Sequence, residues 1–220
     1  MKVAMLGTGV VGQTIGRRLV GLGHEVRMGS RQAGNEKAAA WVAEMGASAG
    51  ASAGTFADAA GFGDLVVNAT AGTVSLDVLA AAGANNLDGK VIIDVSNPLD
   101  FSRGVPPTLS VCNNDSVGEQ IQARFPSVRV VKTLNTVNAD VMVHPEIVPG
   151  SHTMFLCGND AGAKDEVRAL LESFGWPPAD LLDLGDIGAA RGMEMYLPLW
   201  LRLWAATTTG HLNIKVVAAH

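Results

Sequence analysis

The sequence predicts an α/β fold in which a doubly wound, mainly parallel sheet carries a C-terminal helical extension. Short apolar runs, such as residues 3–6 and 65–67, alternate with longer stretches of helical periodicity along the chain, which is typical of α/β proteins. These two runs have no polar break, as expected for strands that helices cover on both faces. Apolar residues make up 48% of the chain and charged residues 17%, so a sizeable core is expected.

The N-terminal half predicts a regular succession of strands and helices. Strands are expected at residues 3–6, 24–28, 65–69 and 91–95, with helices after Gly12, at about residues 35–45 and at residues 74–82. In the first helix Ile15, Leu19 and Leu22 share one face. Residues 55–60 predict one or two helical turns. The repetitive segment 46–54 is low in side-chain bulk and is compatible with a short third strand or a linker loop.

The C-terminal half begins with residues 101–114, which have no periodicity. Long loops in compact domains are commonly functional, so this segment predicts a flap over the ligand-binding site. A helix at residues 116–125 should start at Ser116 with a capping box to Glu119. Strands are expected at residues 128–132, 153–157 and 181–184, with a helix that ends near residue 174. A last helix, residues 188–210, should kink at Pro198.

A glycine-rich turn joins the first strand to the first helix. It reads Gly7-Thr8-Gly9-Val10-Val11-Gly12. Gly7 permits the tight turn, Gly9 lets the backbone approach a pyrophosphate, and Gly12 lets the helix pack close to the strand. The helix N-terminus supplies free N–H groups for an anion. Because a strand precedes and a helix follows, the sequence predicts a Rossmann-type dinucleotide-binding domain over residues 1–186, with residues 187–220 as a C-terminal helical segment packed on its cleft.

The end of the second strand decides which dinucleotide is expected. An NAD site usually has a carboxylate about twenty residues beyond the glycines, whereas this chain has Gly29-Ser30-Arg31. A hydroxyl and a guanidinium suit a 2′-phosphate, and Lys37 adds a positive charge one turn into the next helix. The sequence therefore favours NADP(H), with a solvated loop arginine as the alternative for Arg31.

Small and polar residues follow the later strands, at the edge of the sheet where ligands of α/β proteins bind. The residues expected there are Thr70, Ala71, Asn97, Pro98, Asn135, Thr136 and Asn138. Asn97 either hydrogen-bonds a carboxamide or belongs to a simple turn.

Composition narrows the class of protein. The formal charge of −5 and the lack of a basic stripe argue against a nucleic-acid partner. Cys112 and Cys157 lie far apart without metal-ligand spacing, which predicts no metal and a reducing compartment. No apolar run is long enough to span a membrane, and the first strand leaves no room for a signal peptide, so we expect a cytoplasmic enzyme. No catalytic triad or catalytic side chain stands out, and hydride transfer between redox cofactors needs positioning more than proton chemistry.

These motifs resemble the NADPH-dependent reductases of the 5-deazaflavin coenzyme F420. The residues that carry the resemblance are the glycine turn, the stretches 22–26 and 29–31, Thr133-Leu134-Asn135-Thr136, Arg191, Glu194, Leu197-Pro198-Leu199 and Asn213-Ile214-Lys215. The resemblance implies that Thr8, Gly9, Val10 and Val11 hold the pyrophosphate and that Ser30 and Arg31 hold the 2′-phosphate. It implies that Thr70, Leu76, Pro98, Leu99 and Ala139 lie along the nicotinamide half.

The resemblance also implies a function. We expect hydride transfer between NADP(H) and coenzyme F420 as a small-molecule redox acceptor, with Asn135, Thr136 and Val137 on the acceptor side. The archaeal reductases of this type have His where this chain has Asn135, and relatives that reduce other acceptors have Asn. The alternatives are reduction of another flavin, a ferric chelate or a small carbonyl or imine compound, and a non-catalytic NADPH-binding module.

The last helix is more apolar than one packing face needs. Trp200, Leu203 and Trp204 surround the turn after Pro198. This excess predicts either burial against a second subunit in a homodimer or a helix that lines the substrate side of the cleft.

Overall fold

One eight-stranded sheet organises the chain in a computed structural model that describes residues 1–46 and 50–219. Its order is β10-β9-β8-β5-β4-β1-β2-β3, and a separate hairpin pairs β6 with β7. The strands are β1 (Lys2–Leu6), β2 (Glu25–Ser30), β3 (Ala51–Thr55), β4 (Leu65–Asn68), β5 (Val91–Asp94), β6 (Leu99–Asp100), β7 (Thr108–Leu109), β8 (Arg129–Thr133), β9 (Met154–Gly158) and β10 (Leu181–Asp183).

Helices cover both faces of this sheet, so the doubly wound α/β fold is confirmed. They are α1 (Val10–Gly21), α2 (Glu36–Met45), α3 (Phe56–Phe62), α4 (Ser75–Ala82), α5 (Ala84–Leu87), α6 (Val117–Arg124), α7 (Ala139–Val143), α8 (Ala161–Phe174), α9 (Ala190–Met195) and α10 (Leu197–Thr207). Short 3₁₀ turns lie at Gly72–Val74, Pro145–Ile147, Pro178–Asp180 and Ile187–Ala189.

The core lies in two layers because the side chains of each strand alternate between the two faces. In β1, Val3 and Met5 point into the layer that contains Trp41, whereas Ala4 and Leu6 point into the opposite layer. These four side chains of β1 are fully buried, as the unbroken apolar run predicts for a central parallel strand.

The sheet is parallel except between β8 and β9, which pair antiparallel. A parallel neighbour requires a crossover of a dozen or more residues, usually a full helix. The connection from β8 to β9 contains only the five-residue α7 and a 3₁₀ turn. β9 runs beside β8 in the opposite direction, and β10 then adds in parallel to β9.

Two segments differ from the simplest interpretation of the sequence. In the segment at residues 46–54, the strand alternative is correct, because β3 pairs in parallel with β2; residues 47–49 lie outside the described residues. The predicted flap, residues 101–114, provides only the second strand of a small hairpin that begins just before it, in which Leu99 pairs with Leu109 and Asp100 with Thr108. Such a short pairing lacks the alternation that would identify it in the sequence.

The caps of two helices follow the sequence closely. Asp160 accepts a hydrogen bond from the Ala163 N–H and starts α8. Ser116 caps α6 through the Glu119 N–H, but the expected reciprocal bond is absent there, because the backbone N–H of Ser116 donates to Asp115 instead. The Glu119 carboxylate accepts from the Ser116 hydroxyl and from Arg191. The capping box is therefore only half formed.

The C-terminal segment consists of two helices rather than one kinked helix. α9 ends at Met195, and Pro198 occupies the second position of α10, where its missing N–H costs little. Beyond α10 the chain runs along the start of β9, where the Thr153 N–H donates to the Ile214 carbonyl over 2.8 Å. Among the described residues, no helix combines the length and the apolar character needed to cross a bilayer.

Candidate functional site

The glycine turn has the geometry that its sequence predicts. Gly7 has a φ of +121°, and a Cβ there would lie 2.6 Å from the Ala69 carbonyl oxygen. A Cβ on Gly12 would lie 2.2 Å from the Gly7 carbonyl oxygen, so only glycine lets α1 approach the turn this closely. A Cβ on Gly9 would have no neighbour within 4 Å. Gly9 therefore serves no internal packing need and leaves open space in front of the backbone.

That open space lies at the N-terminus of α1. Gly9 caps the helix in an extended conformation without a side-chain hydrogen bond, and the first turn of α1 has no acidic residue. Val10, the first helical residue, is 74% exposed. Backbone N–H groups and the positive end of the helix dipole thus face solvent together, which is the arrangement that binds a phosphate.

Two basic residues follow β2, Arg31 directly after the strand and Lys37 in the first turn of α2. Arg31 and Lys37 are both exposed, and neither forms an ion pair within residues 1–46 and 50–219. Ser30 is 5% exposed, and its hydroxyl donates to the Gln32 carbonyl. Arg31 and Lys37 are therefore available to an anionic group, whereas the Ser30 hydroxyl first has to leave Gln32.

A cavity of about 390 Å³ lies at the carboxyl ends of the central strands, beside the start of α1. We call it the cleft. Its wall is formed by Val11, Ala69, Thr70, Ala71, Thr73, Val95, Ser96, Asn97, Leu99, Asp100 and Phe101. β1 and β4 are neighbours in the sheet while the chain continues from β1 to β2 on the other side. The cleft thus occupies the topological switch point, where ligands of doubly wound folds bind.

Asn97 is held by a second amide behind the wall of the cleft. Its Nδ2 donates to the Asn135 backbone carbonyl over 2.8 Å, and its Oδ1 accepts from Asn135 Nδ2 over 2.9 Å. The same Asn135 Nδ2 donates to the Met193 carbonyl over 3.2 Å. Asn135 is only 1% exposed. It was expected to contact the acceptor, but the structure places it behind Asn97, with both amide hydrogens used inside the protein.

Of the other residues predicted at the site, some line the cleft and others lie elsewhere. Thr70, Ala71, Val11, Asn97 and Leu99 line the cleft. Thr136 is 1% exposed and borders a smaller apolar cavity of about 170 Å³ beside Met193 and Tyr196.

Four further predicted residues lie outside the wall of the cleft. Leu76 packs against the core layer on the opposite face of the sheet from Met5. Val137 and Ala139 are buried near the start of α7. Pro98 is buried and gives its carbonyl to the Ser110 N–H.

A buried ion cluster lies directly beneath the cleft. Lys132 is fully buried, and its Nζ contacts Asp94 Oδ2 at 2.8 Å, Glu194 Oε1 at 2.8 Å and the Ser96 carbonyl at 2.6 Å. Asp94 also accepts from Asn68 Nδ2 over 2.8 Å. All three ammonium hydrogens of Lys132 therefore have acceptors, which is what a buried charge requires.

The comparisons with known proteins agree with this geometry. Residues 2–98 match the family described as NADP oxidoreductase, coenzyme F420-dependent. A proposed F420-dependent NADP reductase from Arthrobacter sp. FB24 is 50% identical, covers 99% of this chain and 100% of its own, and superimposes with a TM-score of 0.92. The chain belongs to this family.

Two more distant relatives of this NADP oxidoreductase are longer than this chain and have other names. The metalloreductase STEAP3 of Rattus norvegicus is 29% identical over 216 residues, which are 98% of this chain but only 40% of the metalloreductase. An imine reductase of Streptomyces aurantiacus is 20% identical over 94% of this chain and 64% of its own, with a TM-score of 0.62. At that identity the likeness shows the fold alone.

Three ionisable groups of this family member near the cleft, Lys132, Glu194 and Asp100, have shifted pKa values. Burial lowers the pKa of Lys132, but Asp94 and Glu194 outweigh it and the net pKa is raised, so the ammonium stays charged. Burial raises the pKa of Glu194 against the opposing effect of Lys132. The N–H and hydroxyl of Ser102 lower the pKa of Asp100. Asp100 is therefore a carboxylate at neutral pH.

Sequence reasoning missed several parts of this site. Ser96, Thr73 and Asp100 line the cleft, and nothing in their spacing separates them from ordinary loop residues. Phe101, at the start of the predicted flap, lines the cleft beside them. The buried ion cluster, in contrast, could have been detected from the sequence. Asp94 interrupts an apolar strand, and a charge inside a run that is otherwise predicted to be buried needs a partner.

Proposed function

We propose that this member of the NADP oxidoreductase family transfers a hydride between NADP(H) and the deazaflavin coenzyme F420. The observation that carries the proposal is the chemistry of the cleft wall. Among the described residues, Asp100 is the single ionisable side chain in that wall. The cleft can therefore hold a planar group by packing and hydrogen bonds, but it offers little means of moving a proton.

The residues present fit NADP(H). The open backbone at Gly9 and the exposed start of α1 suit the pyrophosphate. Arg31 and Lys37 suit the 2′-phosphate, because arginine forms charge-assisted bonds to phosphate oxygens. The nicotinamide half would then enter the cleft past Val11 and Thr70, where small side chains leave room. When bound, the cofactor supplies the hydride, and the protein supplies binding and orientation.

The missing proton donor argues against a carbonyl or an imine as the acceptor. Reduction of a carbonyl or an imine generally uses a positioned acid within hydrogen-bond reach. Asp100 is held as a carboxylate by Ser102 and is a poor acid at neutral pH. A deazaflavin accepts a hydride in its own ring and needs no side-chain acid. The family description and the Arthrobacter relative support the same acceptor.

An acceptor screen under anaerobic conditions tests the proposal. NADPH is mixed with F420, a flavin, a ferric chelate and a cyclic imine in parallel, and the deazaflavin absorbance and the NADPH absorbance are followed. We expect loss of the deazaflavin absorbance with NADPH and a much slower loss with NADH. Turnover only with another acceptor would replace F420, and NADPH binding without any turnover would favour a binding module.

We also propose that α10 joins two copies of the chain in a homodimer. Of the described residues of α10, Leu197 alone is buried, although the helix is largely apolar. Leu199 is 55% exposed and Trp204 is 48% exposed. Trp204 also lines an apolar groove of about 320 Å³ together with the hairpin residues Val105 and Pro106. Monomeric proteins rarely leave a continuous apolar surface of this kind uncovered.

Sedimentation velocity at several concentrations tests this assembly. The parent chain should sediment as a dimer and Trp204→Glu as a monomer, because a charge at the centre of an apolar interface is costly to bury. Leu22→Glu is the matched control, since Leu22 is 37% exposed at the end of α1 and lies outside this surface. A parent chain that stays monomeric at every concentration would end the proposal.

A further inference from the structure

We propose that Lys132 and Glu194 are positioning residues for the nicotinamide end of the cleft. They close a ring of hydrogen bonds that ties the cleft wall to α9. The inference rests on the proposed NADP(H) site and deepens it. Neither side chain reaches the cleft, since Lys132 is 0% and Glu194 is 1% exposed, so any effect on the cofactor has to pass through the residues that they contact.

The first half of the ring runs from the buried cation to the cleft wall. Lys132 Nζ donates to the Ser96 carbonyl over 2.6 Å. Ser96 and Asn97 are consecutive, and both line the cleft. The Asn97 carbonyl also accepts from the Gly72 N–H over 2.9 Å, and a Cβ on Gly72 would lie 2.5 Å from that oxygen. The backbone of the wall is therefore held from two sides.

The second half of the ring returns through α9. Asn135 pairs with the Asn97 side chain and donates to the Met193 carbonyl. Met193 precedes Glu194, whose Oε1 contacts Lys132 Nζ at 2.8 Å. Every link is either a covalent neighbour or a hydrogen bond of 3.2 Å or less. The ring therefore joins β5, β8 and α9 at one point beneath the cleft.

Glu194 also anchors the ring to a second element. Its Oε2 accepts from the Val117 N–H over 2.9 Å, and its Oε1 accepts from the Gly118 N–H over 3.1 Å. Both are the free N–H groups at the start of α6, where a carboxylate is favoured. A Cβ on Gly118 would lie 3.0 Å from the Ala190 Cβ, so this close approach of α6 to α9 depends on glycine.

The ring gives the ion cluster a role beyond folding stability. Buried ion pairs contribute little net stability compared with apolar replacements, and registry is among their better attested uses. Here the cluster fixes where Asn97 stands relative to α9, and Asn97 lies in the wall of the cleft. Loosening the ring should therefore disturb the nicotinamide half of NADPH and leave the 2′-phosphate half alone.

The test compares two ligands on one conservative variant. Glu194→Gln keeps the volume of the side chain, removes the charge and replaces the acceptor facing the Val117 N–H with an amide donor. It leaves Lys132 paired with Asp94, so it should fold where Lys132→Met leaves two carboxylates unpaired. NADPH probes both ends of the site, and adenosine 2′,5′-diphosphate probes only the phosphate end. We expect NADPH to bind about three- to thirtyfold more weakly with less enhancement of its nicotinamide fluorescence, while the diphosphate binds as in the parent.

A double-mutant cycle decides whether the effect travels through the ring. Asn135→Leu removes the amide link, so combining it with Glu194→Gln should weaken NADPH binding by much less than the product of the two single effects. The control cycle pairs Glu194→Gln with Arg31→Ala, whose effects should multiply. Melting curves establish that each variant is folded.

The outcomes separate this inference from the proposed function. Equal weakening of both ligands would make Glu194 a purely structural residue, and multiplicative effects in both cycles would overturn the ring. If Glu194→Gln does not fold, Asn135→Leu alone still tests the ring, because it should show the same split between NADPH and the diphosphate. A parent protein that binds no NADPH would overturn the proposed function and this inference together.

Discussion

The two ends of the proposed nucleotide site are built in different ways. The phosphate end, from Gly7 to Arg31, comes from one short stretch and depends mainly on backbone geometry and exposed cations. The nicotinamide end is assembled from β5, β8 and α9, and its side chains are buried and hydrogen-bonded to one another. We therefore expect the phosphate end to set the affinity and the choice of cofactor, and the nicotinamide end to set the orientation of the nicotinamide ring.

The largest effect on folding stability is expected at Gly12, where the phosphate end leaves no room for a side chain. Gly12→Val would push its side chain into the Gly7 carbonyl, which a Cβ would already approach to 2.2 Å. Overpacking of this kind costs about 3 kcal/mol, or roughly 6–12 °C in melting temperature for a chain of this size. Gly9→Ala is the control, because its Cβ meets open space. It should melt like the parent and still bind NADPH poorly. Equal melting of both variants would contradict the assignment.

Arg31→Ala tests the choice of cofactor at the same end. Losing a charge-assisted phosphate contact costs about 1.5–3 kcal/mol, or about ten- to a hundredfold in affinity. NADPH should weaken by that factor, while NADH, which lacks the 2′-phosphate, should change little. Arg124→Ala, an exposed arginine at the end of α6, controls for the loss of one positive charge. If both cofactors weaken equally, Arg31 does not hold the 2′-phosphate.

Asn135→Leu tests the nicotinamide end. The variant loses the hydrogen bonds to Asn97 and Met193, so we expect it to impair hydride transfer to the acceptor more than it impairs NADPH binding. The reason is positional, since a small displacement of reacting groups costs more in rate than in affinity. Stopped-flow transfer measured beside an NADPH titration checks this. Unchanged transfer would remove Asn135 from the site.

The smallest effect concerns the contact between Asp180 and the C-terminal tail. Asp180 contacts Lys215 Nζ at 2.7 Å and Ser151 Oγ at 2.6 Å. Burial opposes ionisation of Asp180, but these two partners prevail and its pKa lies below the ordinary 3.8. A lowered carboxylate pKa stabilises the folded chain above about pH 4, and that stability is lost as the pH falls through the folded value.

Asp180→Asn should therefore melt slightly below the parent at pH 7, and the gap should close as the pH falls below about 4. Melting curves at several pH values measure the gap, with Asp77→Asn on the exposed face of α4 as the control for a lost charge. A gap that stays constant with pH would mean that the Asp180 contact with Lys215 adds nothing to stability.

Several features could be predicted because their causes are local in sequence. The turn geometry of Gly7 and Gly12 is confirmed, since the requirement for glycine arises within a few residues of each position. The caps of α6 and α8 are local for the same reason. The antiparallel β9 and the hairpin of β6 and β7 could not be foreseen, because both depend on how distant or short segments pair.

The sequence by itself determined the α/β class, the geometry of the glycine turn and the absence of a carboxylate after β2, because strand periodicity, glycine and charge act at short range. Only the tertiary structure decided that Asn135 lies behind Asn97 and that Lys132 joins Asp94 to Glu194. Those residues are far apart along the chain. They meet because the crossovers of the sheet bring β5 and β8 together and α9 closes over them, and a buried charge is stable only where such partners converge.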